Sequence, residues 1–286
     1  DYDVWGTSRN INSENFFRLK HLDIYNDVRT LFLDPCDASS VSEIIDRILP
    51  DEVYYLAGQS SVRVSFQEPY ETIQSNISGL TNVLESCRIS DRAIKIYNAG
   101  SSECFGDTGN KGANEYSVLK PVSPYGVSKA ATFFLTETYR NAYSLFACTG
   151  ILFNHESELR PEHFVTKKVI STVKRIASGS NEKLVLGNTS VIRDWGWAPE
   201  YVEAMWLMLQ QSLPSDFVIG TGSQHSLSEF VQKSFQAANL NWQDFVEVDN
   251  TLLRPSEILV SFADPSKAER ELGWRAQTKM PNLVEK

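Results

Sequence analysis

Tyr125 and Lys129 lie four residues apart in the segment Ser-Pro-Tyr-Gly-Val-Ser-Lys. Ser123 is a favourable N-cap and Pro124 suits the first helical position, so the segment predicts a helix that begins here. Residues at i and i+4 share a helix face, which places the Lys129 ammonium beside the Tyr125 phenol. A neighbouring cation favours the phenolate, so the pattern predicts a tyrosine that can accept a proton near neutral pH.

A second pair of candidate groups, Ser101 and Glu103, follows the apolar run 94–99. The hydroxyl can hydrogen-bond an alcohol that is being oxidised, and the carboxylate supplies a second acid or base. Each group also has a plain structural interpretation. Ser101 could be a turn residue, Glu103 could cap a helix, and Tyr125 and Lys129 could be exposed on an ordinary helix. Because these groups are combined at the end of one strand, the sequence favours a catalytic role for them over the structural one.

Short apolar runs alternate with helical patterns and must position these groups. We predict strands at 4–7, 53–57, 94–99 and 146–153, and helices at 41–49, 72–86 and 125–143. This alternation is typical of βαβ units, so the fold class is α/β, with a Rossmann-type, doubly wound parallel sheet. Ligands bind such sheets at the carboxyl ends of the strands, where Arg9, Gln59, Ser101 and Asn154 would lie.

The domain organisation follows the same pattern. Residues 1–153 are predicted to form the dinucleotide-binding domain, and 154–286 mainly a smaller C-terminal substrate-binding lobe. Helices are expected at 199–211 and 227–238 in this second part. The stretch 190–221 is expected to return to the first domain, with 217–221 as a late strand.

Arg9 follows the first predicted strand, which we assign as the second strand of a dinucleotide-binding fold. In that position an acidic residue selects NAD and a cation accommodates the ribose phosphate of NADP. The sequence therefore predicts NADP as the cofactor.

Composition limits the remaining possibilities. The 286 residues carry a net charge of −9, which does not suggest a nucleic-acid or anionic membrane surface. The four cysteines, Cys36, Cys87, Cys104 and Cys148, are widely spaced, so we expect free thiols in the cytoplasm and no metal site. No apolar run approaches the roughly 20 residues that a membrane span requires.

Longer motifs identify a family. The chain resembles the extended short-chain dehydrogenase/reductase superfamily and, within it, the GDP-mannose 4,6-dehydratase family, which makes GDP-4-keto-6-deoxymannose. The motifs that carry the resemblance are Tyr-Leu-Ala-Gly-Gln-Ser-Ser-Val-Arg-Val-Ser-Phe (55–66), Ser-Ser-Glu-Cys-Phe-Gly (101–106), Ser-Pro-Tyr-Gly-Val-Ser-Lys (123–129), Gly-Ile-Leu-Phe-Asn-His-Glu-Ser (150–157), Phe-Val-Thr-Lys-Lys (164–168), Arg-Asp-Trp-Gly-Trp-Ala (193–198), Tyr-Val-Glu-Ala-Met-Trp-Leu-Met-Leu-Gln (201–210) and Leu-Arg-Pro-Ser-Glu (253–257). The Tyr-x-x-x-Lys element marks the superfamily, whereas Phe-Asn-His-Glu-Ser with Arg-Asp-Trp-Gly is specific to the family.

The resemblance implies a set of site residues. The catalytic ones are Ser101, Glu103, Tyr125 and Lys129. Cofactor contacts are expected from Arg9, Asp34, Leu56, Ala57, Gln59, Tyr125, Lys129, His155 and Arg160. Contacts to GDP-mannose are expected from Ser60, Asn154, Val165, Lys168, Gly187, Arg193, Arg254 and Glu257, in which the two arginines suit a diphosphate because a guanidinium donates paired hydrogen bonds. The family also implies a homo-oligomer, a dimer or tetramer, in which Arg160 reaches a neighbouring subunit's cofactor.

Two departures and two alternatives accompany the resemblance. The family's first strand and its Gly-x-x-Gly-x-x-Gly turn are expected before Asp1 and are missing from these residues, and Ser101 stands where the family commonly has Thr. One alternative is another enzyme of the superfamily, a GDP-4-keto-6-deoxymannose reductase or a nucleotide-sugar epimerase. The other is a non-catalytic dinucleotide-binding homologue.

Overall fold

The computed structural model describes residues 2–90 and 92–286, and its centre is a parallel β-sheet. The strands are β1 Val4–Ser8, β2 Val28–Phe32, β3 Glu52–Tyr55, β4 Lys95–Ser101, β5 Ala147–Leu152, β6 Asn154–Glu156, β7 Leu184–Leu186, β8 Ile192–Arg193, β9 Trp195–Trp197, β10 Phe217–Ile219, β11 His225–Ser226, β12 Val246–Val248 and β13 Val260–Ser261. Four of them pair in the order β10-β5-β4-β3, all parallel, and β1 and β2 form a separate parallel pair. The predicted α/β class with a Rossmann-type sheet is confirmed.

Helices cover both faces of this sheet. The helices of the described residues are α1 Phe17–His21, α2 Ala38–Ile48, α3 Val62–Gln67, α4 Pro69–Ile73, α5 Gly79–Ile89, α6 Pro124–Tyr143, α7 Val165–Ala177, α8 Ala198–Leu209, α9 Leu227–Ala237, α10 Ser266–Leu272 and α11 Met280–Leu283, of which α2, α5, α6 and α8 contact the central sheet or pack in its core. Successive residues of a strand face opposite sides, and β4 shows this directly. Ile96 packs with the buried residues of α2 and α5, whereas Tyr97 packs with those of α8.

The helix that carries Tyr125 begins where the sequence predicts. The Ser123 hydroxyl accepts a hydrogen bond from the Gly126 amide at 3.0 Å, and Pro124 is the first helical residue. Gly126 also allows α6 to approach the end of β4, because a Cβ atom there would lie 2.6 Å from the Glu103 carbonyl oxygen. Tyr125 and Glu103 are thus brought together by backbone packing.

The chain is helical throughout the helix predicted at 72–86, and the helix contains one π-helical turn. A single π-helical turn, Gln74–Ser78, separates α4 from α5. The Asn76 side-chain amide donates to the carbonyl oxygens of Thr72 at 2.9 Å and Gln59 at 3.1 Å. A side chain that competes for the backbone acceptor four residues earlier widens the turn.

The C-terminal residues form a second hydrophobic cluster. It joins α7, α9, β7 and Trp195 and includes Val169, Phe230 and Phe235. The stretch 190–221 divides between two regions: β10 pairs with β5 in the central sheet, whereas β8 pairs with β11 and β13, and β9 with β6. The domain boundary after residue 153 stays a prediction.

Strand β10 lies at the edge of the central sheet. The Val218 amide donates at 2.7 Å to the carboxylate of Glu115, which comes from the loop before α6. Asp216, directly before the strand, forms a paired ion contact with Arg140 of α6, with its shorter distance at 2.6 Å. At this edge, β10 is therefore held by side chains instead of by a further strand.

Candidate active site

The end of β4 supplies the first candidate groups. The strand ends at Ser101, whose hydroxyl accepts a hydrogen bond from the Glu103 amide at 3.3 Å, and a short 3-10 turn carries Glu103. Ser101 is paired in register with Leu152 at the end of β5. Because the strands are parallel, the residues that follow β5 lie at the same edge, and Asn154 and His155 are among them.

Tyr125 and Lys129 are both buried, and their interaction differs from the prediction. The Lys129 ammonium donates to the Ala99 carbonyl oxygen at 2.9 Å, and its nitrogen lies 5.9 Å from the centre of the Tyr125 ring. Burial raises the pKa of Tyr125 to about 12, and burial lowers the pKa of Lys129 to about 8. The predicted lowering of the phenol pKa by Lys129 is therefore wrong in this structure, because desolvation outweighs it and the ammonium bonds to the strand.

Two other groups oppose the effect of burial on Tyr125. The Ser101 hydroxyl interacts with the phenol, and the positive charge of Arg160 acts on it; both lower the pKa of Tyr125. Arg160 is held within its own chain. Its Nε lies 3.2 Å from the Glu156 carboxylate, and its guanidinium carbon lies 3.7 Å from the centre of the Phe164 ring.

Glu103 lies in a cluster of four charged side chains. Burial raises its pKa, Arg193 and Arg254 lower it, and Glu257 raises it again. Arg193 and Arg254 both contact Glu257, at 3.1 and 3.4 Å. The structure thus brings the candidate elimination base and the two candidate diphosphate ligands into one region.

Other candidate substrate residues lie around α7 and β7. Val165 begins α7, and the Lys168 ammonium donates to the Val185 carbonyl oxygen at 2.6 Å. Gly187 follows β7, and a Cβ atom there would lie 3.3 Å from the Leu252 carbonyl oxygen, close to the segment of Arg254. Asn154 begins β6, and its carbonyl oxygen accepts a bond from the Tyr201 hydroxyl at 3.4 Å. Ser60 is exposed in the loop after β3.

A cleft of about 210 Å³ lies at the carboxyl ends of β1, β2 and β3. Three of the predicted residues, Arg9, Asp34 and Ala57, are in its lining. Arg9 is exposed and contacts Glu71 at 3.8 Å, and Asp34 accepts a bond from the Cys36 amide at 3.0 Å. A cleft at the carboxyl ends of parallel strands is where a dinucleotide binds in such a fold.

The remaining predicted cofactor residues lie outside that lining. Leu56 is exposed after β3, and the Gln59 side chain donates to the Ser61 carbonyl oxygen at 2.8 Å and to Thr72 at 3.0 Å. His155 stacks on Tyr201 with ring centres 4.8 Å apart, and burial lowers its pKa to about 4. A neutral imidazole at this position can bond to a ligand without bringing a charge.

Sequence reasoning missed two buried carboxylates, Glu156 and Asp194, which adjoin predicted residues. Both stand inside family motifs, beside His155 and Arg193, so their position in the motif was the available signal. The parts of the chain the structure describes contain no group of three His, Cys, Asp or Glu residues placed to hold a metal ion. Within the same parts, no helix is long and apolar enough to cross a membrane.

The fold and the Ser-Tyr-Lys arrangement define a member of the extended short-chain dehydrogenase/reductase superfamily. The family model for GDP-mannose 4,6 dehydratase matches residues 1–286. GDP-mannose 4,6 dehydratase 2 of Arabidopsis thaliana is 45% identical over 99% of this chain and 78% of its own length. A GDP-mannose 4,6-dehydratase of Vibrio cholerae is 35% identical over 99% of this chain and 85% of its own length. The chain belongs to the GDP-mannose 4,6-dehydratase family.

Solved structures show the same fold. dTDP-glucose 4,6-dehydratase from Bacillus anthracis, in complex with NAD, matches with a TM-score of 0.84 and 17% identity, over 99% of this chain and 87% of that one. RMD from Pseudomonas aeruginosa, complexed with NADPH, matches with a TM-score of 0.80 and 19% identity, over 94% of this chain and 90% of that one.

Proposed function

We propose that this protein converts GDP-mannose to GDP-4-keto-6-deoxymannose and water. The observation that carries the proposal is a largely desolvated carboxylate, Glu103, at the end of the strand that carries Ser101, within electrostatic range of the Tyr125 phenol and of Arg193 and Arg254. A reductase or an epimerase needs a group that exchanges a proton with the O4 hydroxyl. Elimination needs, in addition, a base for the C5 proton, and Glu103 is suited to that role.

The order of steps follows from carbon acidity. A saturated hexose does not release its C5 proton, because the resulting carbanion cannot delocalise. A ketone at C4 makes that proton acidic, so oxidation at C4 must come first. The nicotinamide, when bound, supplies this redox chemistry by taking a hydride from C4 and returning it to C6.

The chain's own residues move the protons. Tyr125 accepts the proton of the C4 hydroxyl, assisted by Ser101, which hydrogen-bonds that oxygen, and by Arg160, whose charge favours the phenolate. Glu103 then takes the C5 proton and passes it to the departing C6 hydroxyl, which leaves as water. When C6 has been reduced, C5 takes up a proton equal to the one that Tyr125 accepted, which resets Tyr125 as a base. Burial raises the pKa of Glu103, which makes its carboxylate a stronger base than an exposed one.

We further propose NADP as the cofactor, held in the cleft of Arg9, Asp34 and Ala57. The exposed guanidinium of Arg9 supports the choice of NADP over NAD, since it can pair with a ribose phosphate. Leu56, Gln59, Lys129 and His155 are the other proposed contacts of this chain. The cytoplasm stays the predicted compartment, and it rests on four cysteines that are all free thiols.

Assembly as a homo-oligomer is a separate proposal. Val127 and Phe134 of α6, seven residues apart and so on one helix face, are about half exposed. Tyr70 and Ile73 of α4 are also exposed, and α4 packs against α6. Exposed apolar residues on adjacent helices support a self-association surface. Light scattering of the purified protein distinguishes a monomer from a dimer or tetramer.

The test of the proposed reaction compares the protein and its Glu103→Gln variant, each loaded with cofactor and mixed with GDP-mannose alone. The unmodified protein should release the 4-keto-6-deoxy product with no added reductant. The variant should oxidise C4 and then stop, because an amide cannot accept the C5 proton. Absorbance of the reduced nicotinamide should therefore rise without 6-deoxy product.

Two results would contradict this proposal. A requirement for stoichiometric NADPH would indicate a reductase, and product formation at normal speed by Glu103→Gln would remove Glu103 from the chemistry. Uptake of solvent deuterium at C5 provides the control. It separates a variant that fails at proton abstraction, which takes up no deuterium, from one that removes the C5 proton and fails at the loss of water. A variant that has displaced the sugar is recognised by the absence of reduced nicotinamide.

A further inference from the structure

Asp194 is a fully buried carboxylate that directly follows Arg193. Among the ion pairs of residues 2–90 and 92–286, none involves Asp194. A buried carboxylate without a cation is costly unless hydrogen bonds surround it. Hydrogen-bond donors therefore have to surround Asp194.

Four donors converge on the Asp194 carboxylate. Oδ1 accepts from the Thr221 hydroxyl at 2.6 Å and the Thr221 amide at 3.0 Å. Oδ2 accepts from the amides of Gly222 at 2.9 Å and Ala263 at 3.2 Å. Burial raises the pKa of Asp194, and these hydrogen bonds oppose that rise. Each carboxylate oxygen of Asp194 accepts hydrogen bonds from at least two donors. The surrounding groups therefore suit a side chain in which both terminal atoms are acceptors.

These bonds tie together three separate segments. Asp194 follows β8, Thr221 and Gly222 follow β10, and Ala263 follows β13. The main chain adds to this, because the Asp194 amide donates to the Ser261 carbonyl oxygen at 3.1 Å and Ser261 is paired in register with Arg193. The carboxylate thus fixes the alignment of β8 with β13.

That alignment decides where two arginines lie. Arg193 is the last residue of β8, and Arg254 and Glu257 lie on the segment that leads into β13. Their contacts at 3.1 and 3.4 Å depend on β8 and β13 keeping their register. A shift of either strand would separate the two guanidinium groups.

We propose that Asp194 is a positioning residue for the diphosphate of the sugar nucleotide, acting through the spacing of Arg193 and Arg254. This inference rests on the proposed function, since it assumes that the two arginines bind a diphosphate. Asp194 itself does not touch the substrate. Two guanidinium groups recognise a diphosphate only when their separation matches its phosphate oxygens, and Asp194 sets that separation.

Asp216 offers a matched control at the other end of β10. It is a carboxylate with 11% of its side chain exposed that accepts a backbone amide, that of Thr149 at 2.7 Å, as well as two bonds from Arg140. Asp216 precedes β10 and Thr221 follows it, so the two carboxylates hold opposite ends of one strand. Only the Asp194 end adjoins the arginine pair.

The experiment compares Asp194→Asn with Asp216→Asn by calorimetric titration with GDP and with guanosine. In each variant an amide NH₂ faces groups that donate, so both should lose thermal stability. Asp194→Asn should weaken GDP binding by about tenfold and leave guanosine binding unchanged, because the arginines no longer match the diphosphate. Asp216→Asn should leave the ratio of the two affinities at its original value.

The same measurements distinguish the possible failures. An unchanged ratio of GDP to guanosine affinity in Asp194→Asn, or an equal change in both variants, overturns the positioning role while the proposed function stands. Failure of the unmodified protein to bind GDP overturns both. If Asp194→Asn does not fold, Thr221→Val removes only the 2.6 Å bond. Thr221→Val should lower the ratio of GDP affinity to guanosine affinity by about threefold. An unchanged ratio in this variant overturns the inference.

Discussion

Two arginines, Arg9 in the cofactor cleft and Arg193 in the candidate substrate region, have opposite surroundings. The Arg9 side chain is 63% exposed and contacts Glu71, itself 54% exposed, at 3.8 Å. The Arg193 side chain is 9% exposed and contacts Glu257 at 3.1 Å. Water screens the first pair, whereas the second interacts at low dielectric.

The difference indicates two ways to prepare a cation for a phosphate. Arg9 is held weakly, so the ribose phosphate of the proposed cofactor NADP would displace Glu71 with little loss of free energy. Arg193 is already desolvated and aligned, so the diphosphate of the proposed substrate would meet a group whose position is fixed in advance. We therefore expect changes at the cofactor side to alter selectivity and changes at the substrate side to alter both binding and stability.

The largest effect is expected at Tyr125, where the two regions meet. Tyr125→Phe should lower turnover by about 10²–10⁴-fold, because it removes the proposed base, while GDP-mannose should still bind. Tyr97→Phe is the matched control, since the buried Tyr97 hydroxyl has no hydrogen-bond partner among the described residues. Steady-state kinetics and calorimetric binding check both variants. Near-normal turnover in Tyr125→Phe would exclude the assigned role.

Removal of the buried cation should have the next largest effect. Arg193→Met should raise the KM for GDP-mannose by about 30-fold or more and lower the free energy of unfolding by about 3 kcal/mol, because Glu257 loses a buried partner. The double variant with Glu257→Met should recover part of the stability and none of the binding. Urea titration gives the first quantity and kinetics the second. An unchanged free energy of unfolding in Arg193→Met would indicate that water screens the Arg193–Glu257 pair.

Lys129 extends the comparison to a buried ammonium. Its pKa is about 8 in the folded protein against 10.5 for a free side chain, so between these values the unfolded chain binds more protons and stability rises with pH. Lys129→Met should lack this rise, which amounts to about 3 kcal/mol over the interval. Urea titrations of both proteins at pH 8 and pH 10.5 test it. Parallel pH profiles of the two proteins would contradict the lowered pKa.

Arg9→Ala should give the smallest effect. The exposed ion pair contributes about 0–1 kcal/mol, so stability should hardly change. The preference for NADP over NAD should narrow, since the alanine cannot pair with the ribose phosphate. Fluorescence titration with both cofactors measures the preference, and Glu71→Ala controls for loss of the ion pair alone. Equal affinities for NAD and NADP in the unmodified protein would contradict the cofactor proposal.

Local patterns in the sequence predicted most of the fold that positions the candidate site. The Ser123 cap and Pro124 gave the start of α6, and the alternation of strands and helices gave the parallel sheet and its carboxyl edge. These features depend on residues close together in the chain. The helix predicted at 72–86 is present, but its π-helical turn was not foreseen, because the Asn76 side chain bonds to the carbonyl oxygens of Thr72 and of the distant Gln59.

Electrostatic properties were less accessible from the sequence. The spacing of Tyr125 and Lys129 was correct as geometry, but burial and the Ala99 carbonyl reversed the expected pKa shift. The sequence did not reveal Asp194 as a junction, because its donors come from two distant segments, Thr221–Gly222 and Ala263. Burial and long-range hydrogen bonds arise only when the whole chain is folded, so patterns of a few residues cannot contain them.

The Glu115 carboxylate beside strand β10 also affects whether this edge can pair with a strand of another copy of the protein. An edge strand exposes amides that can recruit a strand from another molecule and start aggregation. Glu115 accepts the Val218 amide at 2.7 Å and so occupies the centre of a three-residue edge. A passing strand would meet a carboxylate instead of a free donor. The loop before α6 thereby protects the sheet against intermolecular β-pairing.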